Sequence, residues 1–152
     1  MSPGKISRKS VADRLEWIDN MTRQIESLPL QTYEAFTTDK RNIWSAESCL
    51  RRAIEALMDL GRHILAKGFT TGVTEYKQIA SGLREKGVLD QTDSARFRVL
   101  AGYRNRMVHF YHEISDHELY EICKSQLTDV TCLTESIRGW IKDNPELIDS
   151  NL

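Results

Sequence analysis

The chain has 152 residues, enough for one domain with its own core and no disulfide or metal staple. Its 40% hydrophobic and 28% charged residues are ordinary for a globular protein, and no uncharged apolar run is long enough to span a membrane. A net charge of −1 excludes a global basic field, so any contact with nucleic acid must be local.

The opening residues, Met1 to Lys5, lack the apolar stretch of a secretory signal. Cys49, Cys123 and Cys132 are odd in number and have no metal-ligand spacing. They are expected to be buried thiols in a reducing cytoplasm.

With three prolines and no sustained strand-like alternation, the chain is expected to be all-α. The predicted architecture is an antiparallel bundle of about five helices with short connections. Val11, Leu15, Ile18, Ile25 and Leu28 keep helical spacing and predict a first helix from about Ile6 to Ser27, with Pro29 just beyond. Tyr33 to Phe36 is expected to form a short turn. A long helix then runs to about Lys67, with Ile43, Leu50, Ile54, Leu57, Leu60 and Ile64 inward and Gly68 as its stop. His63, near its carboxyl end, suits a surface residue complementing the helix dipole.

Thr74 is placed to cap a shorter helix to about Lys86, ended by Gly87. The next helix starts near Thr92 or Asp93 and stops by about His112, because Ser115 and Glu118 form a capping box that opens the last helix. That helix carries Leu119, Cys123, Val130, Leu133, Ile137 and Trp140 inward and ends before Pro145. The whole is expected to be a single domain over 1–152, frayed at about 1–5 and 144–152.

The chemistry concentrates late in the fourth of these helices. Phe97, Ala101, Arg104, Val108 and Tyr111 fall along one stripe, and four of the five suit a core or interface. Burying the fifth, an arginine, costs several kcal/mol (about that order) unless an anion pairs with it. Asn105 and His109 share a neighbouring face, so the helix offers an arginine, an amide and an imidazole, a set suited to phosphate.

Spacing alone is weak support, since composition supplies about one third of an Arg-x4-His pair by chance. Arg106 with His112 is a rival register, without the following Asn. On an ideal helix Arg104 and His109 diverge by about 140°, so either the long arginine wraps round or a second copy completes the site. In His109-x-x-His112-Glu113 the two histidines could share an ion, but the spacing differs from the metalloprotease ones and no obvious third ligand appears, so no metal is expected. Glycine-rich phosphate loops are missing. Thirteen of the 21 cations are Arg, a preference that suits bidentate phosphate binding and solvated helix faces equally.

Arg104 and Asn105, followed by His109 and Tyr111, resemble the signature of the HEPN superfamily and, more narrowly, of the HepT toxins. Those toxins are paired in prokaryotes with a minimal nucleotidyltransferase antitoxin, MntA. The resemblance runs from about Tyr33 to about Trp140. It takes in Tyr33-Glu34-Ala35-Phe36 with Asp39, the run from Arg52 to Leu65, and Thr74-Glu75-Tyr76.

The resemblance implies a HEPN-like helical bundle working without cofactor as a homodimeric endoribonuclease, with the motif at the protomer cleft. Arg104, Asn105 and His109 would be its catalytic residues, and Asp39, Arg106 and His112 possible supporting ones. It implies further that Tyr111 receives AMP from a cognate MntA-like nucleotidyltransferase, which silences the toxin. The partners implied are RNA, the antitoxin and a second copy, in the cytoplasm, with no membrane. The alternative is a non-catalytic helical module that binds a nucleotide, an RNA end or only its partner.

Overall fold

The computed structural model describes residues 5–109 and 114–151, His109 by its backbone alone. After a two-residue strand β1 (Ile6–Ser7) come α1 (Arg8–Glu26), α2 (Tyr33–Thr37) and α3 (Lys40–Phe69). Then follow α4 (Tyr76–Glu85), α5 (Gln91–His109), α6 (Asp116–Ser125) and α7 (Leu127–Asp143). A 3-10 turn (Pro145–Leu147) leads into β2 (Ile148–Asp149).

The all-α expectation holds, but the described residues form seven helices where about five were expected. Two local events account for the difference. Thr32 accepts a hydrogen bond from the Ala35 amide at 3.0 Å, so the expected turn becomes the short helix α2. The expected last helix divides at Gln126, whose backbone (φ −113°, ψ 3°) closes α6 and opens α7.

The bundle is organised around α3, which at 30 residues is about 45 Å long. Its apolar face, Ala46, Leu50, Ala53, Ile54, Leu57, Leu60, Ile64 and Leu65, lies at the centre of the core. Helices α1, α2, α4, α5 and α6 all pack on it. Ile43 and Trp140, both expected inward, are only half-buried, Trp140 lying against the Phe69 ring at 5.9 Å.

Gly68 does not stop α3. It stands inside the last turn, where a Cβ would approach Ile6 Cδ1 to 2.8 Å. The stop is Thr70, held left-handed at φ 54° while its amide bonds back to Leu65. Thr74 likewise does not cap α4: Glu75 occupies that place without a side-chain cap bond. Gly87 does end the following turn, at φ 76°. Ser115 caps α6 through the Glu118 amide at 3.1 Å, as expected. Cys123 is buried, and burial pushes its thiol up to about 12, whereas Cys49 and Cys132 are half-buried.

The two chain ends are tied together. β1 pairs in parallel with β2, Ile6 opposite Ile148, and both isoleucines are buried. The segment after 144 is therefore pinned by apolar burial where fraying was expected. Nor is His63 a dipole-complementing surface group. Its Nε2 accepts a hydrogen bond from the Ser7 amide at 3.1 Å, joining β1 to α3. Only an unprotonated nitrogen can accept that bond, and burial, Arg14 and Lys67 lower the His63 pKa below its ordinary 6.5.

A lowered histidine pKa makes the folded state bind fewer protons than the unfolded chain. Its contribution to stability is complete above about pH 6.5 and is lost as pH falls through the lower folded value. The thermal midpoint should therefore drop between about pH 7.5 and about pH 5.5, and His63→Gln, which cannot titrate, should show a smaller drop. An equal drop in the variant would assign the pH dependence to other groups.

Candidate active site

The amino half of α5 is fixed to its neighbours by buried polar contacts. Ser136 Oγ on α7 donates to Asp93 Oδ2 at 2.5 Å, and Arg96 Nη1 donates to Asp93 Oδ1 at 2.7 Å. Ser94 Oγ donates to the Ala80 carbonyl of α4 at 3.0 Å. Phe97, Leu100 and Ala101 then enter the core at 1% exposure each. The apolar stripe that might have served as an interface is thus, in its first two turns, the core of one protomer.

One turn beyond Ala101 the same stripe reaches Arg104, whose side chain is 24% exposed. Its guanidinium is compensated across the helix interface: Nε donates to Glu55 Oε1 of α3 at 3.2 Å. Nη1 donates to Asn105 Oδ1 at 3.0 Å. Glu55 is also 3.7 Å from Arg51 Nη1, one turn back along α3. A guanidinium has five N–H donors. Among the described residues Arg104 uses two of them, and the others remain for an anion.

A cavity of about 170 Å³ opens beside this arginine, lined by Glu55, Met58, Asp59, Arg62 and Arg104. Arg62 Nη1 donates to Asp59 Oδ1 at 2.6 Å. In the sequence Glu55 and Arg62 stand out only as members of the family-like run from Arg52 to Leu65. The available signal was the i, i+4, i+7 spacing of Glu55, Asp59 and Arg62, which sets them on one face of α3.

The other candidates lie elsewhere. Asp39 caps α3 through the Arg41 amide at 2.9 Å and holds the Arg41 guanidinium at 2.7 Å, which lowers the Asp39 pKa. It stands sixteen residues before Glu55, roughly 24 Å along the helix axis. Arg106 turns away from Arg104 and pairs with Glu118 of α6 at 2.7 Å, so this pair spans the ends of the 110–113 segment. Glu118 thereby serves Arg106 as well as the amino end of α6. The His109 side chain, Tyr111, His112 and Glu113 lie outside the described residues. Among the described residues no three His, Cys, Asp or Glu side chains are grouped to hold a metal ion.

The family model of the HepT-like ribonucleases matches residues 18–137, which span α1 to α7 and include both Glu55 and Arg104. The chain belongs to the HepT-like ribonuclease family. No curated protein matches it. Solved structures of the same fold include the tri-AMPylated HEPN toxin of Shewanella oneidensis in complex with its MNT antitoxin. That toxin is 19% identical, with a TM-score of 0.77 over 86% of this chain and 97% of the other. A toxin–antitoxin structure with AMP-PNP is likewise 19% identical, at 0.75 over 84% and 97%. YutE of Bacillus subtilis, a cytosolic protein of unknown function, is 17% identical, at 0.76 over 92% and 94%. At these identities the likeness is one of fold. No helix of the described residues is long and apolar enough to cross a membrane.

Proposed function

We propose that this HepT-like protein is a metal-independent endoribonuclease toxin that cuts RNA by attack of the 2′-OH. The observation that carries the reading is Arg104: a mostly buried guanidinium, anchored by Glu55 and Asn105, at the rim of a cavity and with donors left over. Anchored on two sides, it meets a phosphate without first losing the freedom of a long side chain. Family membership and the fold shared with HEPN toxins support the reading.

The reaction needs a base for the 2′-OH proton, an acid for the leaving 5′-oxygen, and positive charge on the phosphorane. Arg104 supplies the charge as a permanently protonated fork. His109 is the acid or base, since an ordinary imidazole titrates near neutrality. Asn105 holds Arg104 in place and lies beside the phosphate. Arg106 is a positioning residue, and through Glu118 it joins the ends of the segment bearing Tyr111 and His112. Asp39 acts at a distance, by capping the helix that carries Glu55. The products are a 2′,3′-cyclic phosphate and a 5′-hydroxyl, which excludes DNA as a substrate.

Because Arg104 and His109 diverge by about 140° around α5, the working unit is a cytoplasmic homodimer whose two motif helices line one cleft. There the partner's His109 supplies the complementary proton transfer. Sedimentation at micromolar concentration is expected to show the dimer. A fully active monomer would refute this assembly.

Arg104→Ala and His109→Ala should each lower RNA cleavage by about a hundredfold or more, while wild-type cleavage persists in EDTA. The Arg104–Glu55 pair is a quarter to a third exposed, so Arg104→Ala should cost only about 1 kcal/mol of stability and stay helical by circular dichroism. Full activity of His109→Ala, or complete loss with chelator, would sink the mechanism.

Silencing falls on Tyr111. Its phenolic oxygen attacks the α-phosphorus of ATP on the partner nucleotidyltransferase, pyrophosphate leaves, and the new phosphate competes with RNA for Arg104. Co-expression with that enzyme should raise the intact mass by whole AMP units, all mapping to Tyr111. Tyr111→Phe, where still toxic, should escape protection. An adduct mapped to Tyr103 or Tyr120 would remove Tyr111 from this role.

A further inference from the structure

Next to the Arg104 cavity lies a second hollow of about 430 Å³, between α3, the amino end of α4, and α5. Ligand sites start at about 300 Å³, so a single nucleotide is of suitable size. Three cations line it, one from each wall: Arg62 of α3, Lys77 of α4 and Arg104 of α5. Among the described residues Glu75 is the one carboxylate in the lining. In a chain of net charge −1 this is a local concentration of positive charge of the kind an anion requires.

The hollow also has an aromatic wall. Tyr76 is half-buried against the core, and Lys77 Nζ lies over its ring at 5.9 Å from the centroid. A cation at that distance, the outer limit of a cation–π contact, is easily displaced by a base. Arg62 is fixed there by Asp59 at 2.6 Å and by the Thr74 carbonyl at 3.4 Å, which also holds the start of α4 against α3. The amino end of α4 has no side-chain cap, so its first-turn amides add partial positive charge to the same space.

From this geometry we infer that the hollow binds the nucleotide next to the scissile phosphate of a single-stranded RNA. Tyr76 stacks on its base, and Lys77 and Arg62 hold the adjoining phosphate. The inference rests on the ribonuclease reading of Arg104, but its residues stand outside the Arg-x4-His motif. A free phosphate needs no aromatic wall, and a duplex keeps its base faces stacked and out of reach of a tyrosine, so the combination favours an unpaired strand.

The test uses a short fluorescein-labelled single-stranded RNA of mixed sequence. Binding is read by anisotropy in a His109→Ala background and cleavage in the parent protein. Tyr76→Ala should weaken binding by about tenfold or more and raise KM similarly, with kcat changed by less than about twofold. Tyr76→Phe keeps the stacking face and should bind as the parent does. Lys77→Ala and Arg62→Gln alter accessible side chains and keep the test decisive if Tyr76→Ala fails to fold. Each should weaken binding and reduce the slope of log K against log salt by about one. Lys142→Ala, an equal charge change on α7, should move neither.

Unchanged affinity and KM in Tyr76→Ala, Lys77→Ala and Arg62→Gln, with wild type cleaving RNA, would overturn the groove and leave the ribonuclease reading standing. Tighter binding of a matched duplex than of the single strand would overturn it as well. No cleavage by wild type, with groove variants still weakening RNA binding, would instead overturn the ribonuclease reading and leave the groove in place.

Discussion

A helix about 45 Å long, buried along one face and charged along the other, is the constraint from which the rest of this molecule follows. The apolar face of α3 is too long for any single partner to cover, so five other helices pack on different stretches of it. Its opposite face keeps Glu55, Asp59 and Arg62 at the surface, on the side where α4 and α5 approach. Core and candidate site are two faces of one element. Whatever fixes the rotation of α3 fixes both.

The second constraint is electrostatic. Helix α5 is locked by Asp93, Ser94 and Phe97, so its Arg104 must emerge against α3 with little access to water. A guanidinium there needs an anion, and Glu55 supplies one at 3.2 Å. Among the described residues Glu55 and Asn105 anchor the arginine and leave most of its donors uncommitted. A partly compensated cation of this kind is what the proposed phosphate-binding role requires.

The third is the closure of the chain on itself. The β1–β2 pair, with Ile6 and Ile148 buried, and the His63–Ser7 bond hold both ends of the chain against the carboxyl end of α3. The Arg106–Glu118 pair does the equivalent work between α5 and α6. The helices that carry Glu55, Arg62, Arg104 and Asn105 are therefore each tied to a neighbouring element near their carboxyl ends.

Few prolines and helical periodicity determined the all-α class and, Ile43 and Trp140 apart, the inward residues of α3 and α7, and they singled out Arg104 as a cation on an apolar stripe, because 3.6-residue spacing is a local property. The family resemblance was likewise written in local spacings. What no local reading contained is what depends on contacts distant in sequence. Glu55 and Arg104 are 49 residues apart, and Ile6 and Ile148 pair across nearly the whole chain. Gly68 resembles a helix stop until Ile6 is found packed where its side chain would be. The break at Gln126 carries neither proline nor glycine to mark it in the sequence. His63 looks like a surface cation, and only its burial beneath β1 makes it a neutral acceptor. For His63 the side chain was visible in the sequence, but its partner and the direction of its ionisation were decided by burial, a property of the packed molecule.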